Sequence, residues 1–190
     1  LFTEFNSSCL PDGSPPPGST EDICYHPQNY DEKFRGPVSL REALAGSLNI
    51  PAVKVLYLAG IHNAIKVAER AGIATLTEPE RYGLTLVLGG GEVRLVELTG
   101  GYGAFGNDGL WQPATAILRV EDHTGRILEE YQDKKTRAVE PEIARMISSI
   151  LSDNAARAPL LGATSPLYFP ERPVAAKTGT TNDSRDAWVI

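Results

Sequence analysis

Residues 173–190 carry the pattern that most restricts how this chain can fold. An apolar approach, Pro173-Val174-Ala175-Ala176, leads into Lys177-Thr178-Gly179-Thr180-Thr181. Polar Asn182-Asp183-Ser184-Arg185-Asp186 follows, and then apolar Ala187-Trp188-Val189-Ile190. Two short apolar runs around a polar break read as a strand, a turn and a second strand. Helical periodicity dominates much of what precedes them. The order helices, hairpin, helix and strand pair predicts an α+β domain.

A Lys-Thr-Gly run on a strand edge has a definite chemical use. The lysine supplies positive charge, the threonines supply hydroxyl donors, and the glycine removes a side chain that would block a ligand backbone. Such an edge can pair with an extended peptide and hold its terminal carboxylate. The same residues also suit an ordinary strand running into a solvated turn. Lys-Thr-Gly arises by chance in roughly one chain in twenty or thirty of this length, so the run needs a companion.

Ser47-Leu48-Asn49 is the second candidate. It follows the helical Val38–Gly46 stretch and precedes Ile50-Pro51-Ala52-Val53. Asn49 ahead of Ile50-Pro51 reads as a helix N-cap with proline in the first turn. A cap at a domain seam can also turn a hydroxyl and an amide towards a cleft, so the two roles are compatible.

Along the chain, residues 1 to about 28 are rich in Pro, Ser and Gly and read as loop, and residues 29–190 as one folded unit. Three helices are expected between Val38 and Ala71, stopped by Gly60 and Gly72. Leu84–Leu88 with Gly89-Gly90-Gly91 reads as extended or turn. A helix is expected from Glu92 to Phe105, burying Val93, Leu95, Val96, Leu98, Tyr102 and Phe105. Its glycines, Gly100, Gly101 and Gly103, suggest close helix packing, since no nucleotide-binding spacing surrounds them. Ala116–Tyr131 predicts a hairpin turning at Asp122-His123-Thr124-Gly125. Glu140–Asn154 predicts a helix with an apolar stripe at Ile143, Met146, Ile147, Ile150 and Leu151, to which no catalytic role attaches.

Composition excludes several classes. At 190 residues, 42% hydrophobic and 22% charged, the chain supports about one domain with a real core. A net charge of −6 argues against nucleic acid as a partner, which needs a basic face. His26, His62 and His123 have no His or Cys at ligand spacing, so no metal or other cofactor is expected. No apolar run approaches the ~20 residues of a membrane-spanning helix, and no signal peptide is visible. Cys9 and Cys24 flank a Pro-rich loop. They read either as two free thiols or as a disulfide, which would stabilise by roughly 3 kcal/mol through lost chain entropy.

Lys-Thr-Gly and Ser-x-Asn are two members of a known signature set whose third member is Ser-x-x-Lys. With them stand Asn29-Tyr30-Asp31, the block from Phe34 to Ala45, and Ser47–Val53. Tyr82-Gly83-Leu84, Leu88–Val93, Tyr102–Phe105 and Arg185-Asp186-Ala187-Trp188 extend the match over about residues 25 to 190. In these blocks the chain resembles the transpeptidase domain of class A, bifunctional penicillin-binding proteins, and most of all their 1C type. That resemblance implies a serine β-lactamase/DD-transpeptidase-like fold, an antiparallel sheet between helical layers with the cleft at one sheet edge. By motif match, Ser47, Asn49 and Lys177 would be catalytic and Thr178, Gly179 and Thr180 would bind substrate. Ser47 should then lie within hydrogen-bond reach of Lys177.

The family's nucleophile is missing from this sequence. No serine has lysine three residues later. Ser19 comes nearest in setting, but Asp22 stands where lysine is required. A start at Leu1 and an end inside an apparent strand make the sequence read as a piece cut at both ends, inactive by itself. In the family, serine attacks the D-Ala-D-Ala amide of a peptidoglycan stem peptide, and an amine from a neighbouring stem resolves the acyl-enzyme. The resemblance implies stem peptides and lipid-linked precursor as partners, β-lactams as inhibitors, work on the extracytoplasmic face of the plasma membrane, and a membrane anchor and a glycosyltransferase domain upstream. A β-lactam sensor, or a scaffold of the same fold, is the alternative.

Overall fold

The computed structural model describes residues 17–18, 27–181 and 185–190. Three helices open the folded part: α1 (Leu40–Ala45), α2 (Asn49–Ala59) and α3 (Ile61–Arg70). Ser39 starts α1 with a capping box, its hydroxyl accepting from the Glu42 N–H while the Glu42 carboxylate accepts from the Ser39 N–H. Gly60, at φ 80°, ends α2 and turns the chain directly into α3. Gly72, at φ 86°, follows the third helix. The three expected helices and their stops are in place.

The first core lies under α2 and α3. Val53 and Leu56 of α2 bury against Leu84, and Ile65 of α3 buries against Leu76 and Tyr82. Each such side chain contributes roughly 1.5–3 kcal/mol by leaving water. Leu84–Leu88 forms a 3-10 turn, one of the two forms expected of that stretch, and it closes over the α2 side chains.

α4 (Leu95–Gly106) starts three residues later than expected and turns a different face inward. Leu95 is 63% exposed and Val96 56% exposed, which corrects their assignment to the buried side. The inward face runs through Gly101 and Ala104. A Cβ on Gly101 would sit 3.3 Å from the Ala71 carbonyl oxygen, so close backbone approach selects this face over the larger side chains.

Three two-stranded antiparallel ribbons complete the described strands. β1 (Leu110–Trp111) pairs with β4 (Thr136–Arg137), an element with no clear sequence signal. β2 (Arg119–Glu121) and β3 (Ile127–Glu130) form the expected hairpin around Asp122–Arg126. Asp122 holds that turn by accepting from the N–H groups of Thr124 and Arg126. β5 (Thr178–Thr180) and β6 (Ala187–Val189) form the last ribbon.

α5 (Pro141–Leu151) is the expected stripe helix, ending three residues early. Its buried residues are Ala144, Ile150 and Leu151, whereas Ile143 is 47% and Met146 55% exposed. The helix packs on α4 and α1, and Ala144 is fully buried. α6 (Asn154–Leu161) was not anticipated: Pro159 inside it hides a helical pattern that Asp153 caps through the Ala156 N–H. Among the described residues no helix is long and apolar enough to cross a membrane. Cys9, Cys24 and most of the 1–28 loop segment lie outside the described residues.

Candidate active site

The site begins where α1 ends. Gly46 closes the helix with an ordinary right-handed φ of −83°, and Ser47 takes the left-handed turn at φ 54°. Ser47 N–H donates to Leu44 O at 3.2 Å, and Leu48 N–H donates to Ala43 O at 2.9 Å. This pair of bonds is a Schellman motif, and its left-handed position usually holds glycine. Here the glycine stands one residue earlier, because a Cβ on Gly46 would lie 2.4 Å from Leu160 Cδ1 of α6. A serine in the left-handed region costs roughly 1–2 kcal/mol, and it projects a hydroxyl from a buried corner.

Lys177 meets that hydroxyl. Its Nζ donates to Ser47 Oγ at 2.6 Å and to the Thr178 carbonyl at 2.7 Å. The two residues are 130 apart in sequence. Burial first, and the positive charge of Arg157 second, push the Lys177 ammonium below the usual lysine value.

The ribbon fixes what faces outward. Lys177 and Ile190 exchange both main-chain hydrogen bonds, at 2.8 and 3.0 Å. Antiparallel pairs alternate, so Thr178 opposite Val189 and Thr180 opposite Ala187 are the non-bonded pairs. Their N–H and C=O groups therefore point away from β6, towards an edge with no further strand among the described residues. Thr178 is half-buried, Gly179 and Thr180 are exposed, and no atom crowds the Cβ position of Gly179. An extended peptide carrying a carboxylate suits such an edge.

Asn49 is placed beside this pair but bonded elsewhere. It is the first residue of α2, and Leu48 occupies the cap position with no side-chain bond, which corrects the N-cap assignment. The cap comes from a distance: Asn29 Oδ1 accepts from the Ile50 N–H at 3.2 Å, and Asn29 Nδ2 donates to Lys33 O at 2.8 Å. Asn49 Nδ2 donates to Gln28 O at 2.8 Å. Among the described residues its side chain makes no hydrogen bond to Ser47 or Lys177.

Two contributors escaped sequence reasoning. Asn29 is buried, and its only signal was the Asn29-Tyr30-Asp31 block. Arg157 is 2% exposed and gives hydrogen bonds to the carbonyls of Leu151, Leu167 and Ala176. An arginine in an alanine-rich stretch gives no hint of burial, because arginine is almost never fully buried.

A groove of about 430 Å³ runs along the β2–β3 hairpin, lined by Thr115, Leu118, Glu129, Tyr131 and Lys134 among others. None of Ser47, Asn49 or residues 177–180 lines it. The ammonium–hydroxyl contact beside an open strand edge marks the candidate site.

Comparison with solved structures defines the class of fold. Penicillin-binding protein 1A from Haemophilus influenzae superposes with a TM-score of 0.69 at 23% identity, over 92% of this chain and 30% of that one. The D,D-transpeptidase domain of a peptidoglycan glycosyltransferase from Eggerthella lenta gives 0.67 at 18% identity, over 85% of this chain and 46% of that one. The fold is that of the penicillin-binding transpeptidase domain. In sequence, the chain is 32% identical to penicillin-binding protein 4 of Bacillus subtilis over 172 residues, 87% of this chain. It spans 26% of that relative's length. No family model matches the chain. The chain belongs to the class A penicillin-binding proteins, in their transpeptidase part.

Proposed function

We propose that this chain is the substrate-binding half of a peptidoglycan DD-transpeptidase site that also takes β-lactams. The observation that carries the reading is the Lys177–Ser47 contact of 2.6 Å beside the open edge of β5. A serine nucleophile from a Ser-x-x-Lys outside this sequence attacks the carbonyl of the penultimate D-Ala. The Oγ–C bond forms and the C–N bond breaks. The nucleophile's hydroxyl proton goes to the lysine of its own motif, and Ser47 relays a proton to the leaving D-Ala amine. An amine from a second stem peptide then forms the new C–N bond as the Oγ–C ester bond breaks, and the proton it loses returns to Oγ.

The other roles follow from placement. Thr178 and Thr180 hydroxyls, beside the Lys177 charge, hold the terminal carboxylate. The outward N–H of Thr180 serves as an oxyanion donor, an interaction worth about 3 kcal/mol of barrier. Gly179 lets the substrate backbone lie against the strand. Asn49 hydrogen-bonds the substrate backbone or orients the lysine of Ser-x-x-Lys. Stem peptides and lipid-linked precursor are the partners of the longer protein, which carries its anchor and a glycosyltransferase domain upstream and works outside the cytoplasm. The 1C type rests on the sequence blocks quoted above.

One observation favours a second reading. Without Ser-x-x-Lys the fold can bind wall peptide or sense β-lactam without turnover. Labelled penicillin separates the two. The transpeptidase reading predicts a stoichiometric adduct on the longer protein, mapped to a serine outside these 190 residues, and none on this chain alone. An adduct on Ser47, or none on the longer protein, contradicts it.

A further inference from the structure

The corner between α5 and α6 holds both members of the Ser47–Lys177 pair. On the serine side, Arg41 of α1 donates to the Asp153 carboxylate at 3.0 Å and to Ser149 O at 3.2 Å. Leu160 of α6 packs against Gly46 at the other end of the same helix. On the lysine side, Ala176 N–H donates to Leu151 O at 3.1 Å. Arg157 Nη2 donates to that same Leu151 oxygen and to the Ala176 carbonyl, and Nη1 reaches Leu167 O at 3.2 Å. Both backbone groups of the residue before Lys177 are therefore tied to one corner.

We propose that Arg157 is a positioning residue for catalysis: its buried guanidinium clamps Ala176 to the α5–α6 corner and so sets where the Lys177 ammonium meets Ser47. A planar fork with five donors can reach three carbonyls in fixed directions, which a single ammonium cannot. Arg157 forms no ion pair with a carboxylate among the described residues, so its bonds go to backbone alone. That choice costs stability, since an unpaired cation is expensive to bury. It makes sense where the cation sets geometry. The depressed lysine value is in keeping with this: burial lowers it first and the Arg157 charge second, while the other partners of Lys177, Ser47 and the Thr178 carbonyl, are neutral.

This inference rests on the reading of Ser47 and Lys177 as a catalytic pair, but its test needs neither nucleophile nor β-lactam. Lys177 is titrated in this chain by NMR of 13C-labelled lysine, with Lys177→Arg to assign the signal. Arg157→Gln removes the charge and Arg157→Lys keeps it while losing the fork. The introduced lysine is read in the same spectrum, so its charge state is known, and amide dispersion reports the fold. The clamp predicts that the Lys177 midpoint rises in both variants, because the side chain leaves its buried place against Ser47. A midpoint that rises in Arg157→Gln but stays at the parent value in charged Arg157→Lys means that Arg157 acts by charge alone, and overturns the proposal. No shift in either variant overturns it too. Should Arg157→Gln not fold, Arg157→Lys decides by itself. Failure of penicillin acylation in the longer protein would count against the site, not against the clamp.

Discussion

Replacing Ser47 separates the strain at this position from its hydrogen bond. Both Ser47→Ala and Ser47→Gly remove the acceptor for Lys177 Nζ. A bond to a charged group typically contributes about 1.5–3 kcal/mol, and here the low end applies, since Lys177 keeps the Thr178 carbonyl and is only partly buried. The two variants differ in backbone. At φ 54° alanine retains the left-handed cost of roughly 1–2 kcal/mol, whereas glycine does not. Glycine's greater freedom in the unfolded chain offsets about 0.4–1 kcal/mol of that gain. Ser47→Gly should therefore be more stable than Ser47→Ala by about 1 kcal/mol, the reverse of the order inside a helix. Urea denaturation followed by circular dichroism, at equal m values, measures it. The corresponding difference in Tm is roughly 2–4 °C for a domain of this size. Alanine equal to or more stable than glycine would refute the Schellman assignment and with it the account of how Ser47 is aimed.

Three further predictions concern stability. Gly109, at φ 80°, has the Val139 carbonyl oxygen 2.0 Å from where a Cβ would stand, so Gly109→Ala should destabilise by roughly 3 kcal/mol from strain and overlap together. Gly103, mid-helix with nothing near, should give the opposite sign, Gly103→Ala stabilising by about 0.5–1 kcal/mol in the same urea assay. In acid, Asp31, Asp108, Asp122, Asp153 and Glu42 all hold their carboxyls below the usual value. Hydrogen bonds do this first in each: from Arg35 to Asp31, from Arg145 to Asp108, from Thr124 to Asp122, from the Ala156 N–H to Asp153, and from Ser39 to Glu42. A depressed folded value means that the unfolded chain binds protons first. Stability should be full above about pH 5 and fall as pH drops through the carboxylate range, and Asp108→Asn should flatten that fall in urea titrations at stepped pH. A flat profile in the parent would contradict the assignment.

The sequence made the α+β order readable because most of its cues are local. Gly60 and Gly72 stop helices through positive φ, and Asp122 with Gly125 turns the hairpin within five residues. What it hid is tertiary. The rotation of α4 that leaves Leu95 and Val96 in solvent depends on Gly101 meeting Ala71, thirty residues away. The cap of α2 comes from Asn29 rather than Asn49, and no spacing rule finds a cap twenty-one residues upstream. The motifs point to Ser47 and Lys177, but the left-handed turn that aims Ser47 rests on the main-chain bonds closing α1, at a position where glycine is usual and the sequence has serine. Arg157 was invisible for the same reason: its acceptors are backbone carbonyls on other segments, and backbone carries no residue code.

The proposed function stands on strand 177–180 being the substrate-binding edge. The most direct measurement is the second-order rate of penicillin acylation in the longer protein, for Thr180→Val, Lys177→Ala and the exposed control Lys134→Ala against the parent. Thr180→Val keeps shape and removes the hydroxyl proposed to hold the carboxylate, an expected loss of about 1.5–3 kcal/mol, or roughly ten- to a hundred-fold in rate. Lys177→Ala should lose more, since charge and the Ser47 contact go together. Lys134→Ala should stay near the parent, as surface changes do. Equal rates for Thr180→Val and Lys134→Ala would contradict the claim.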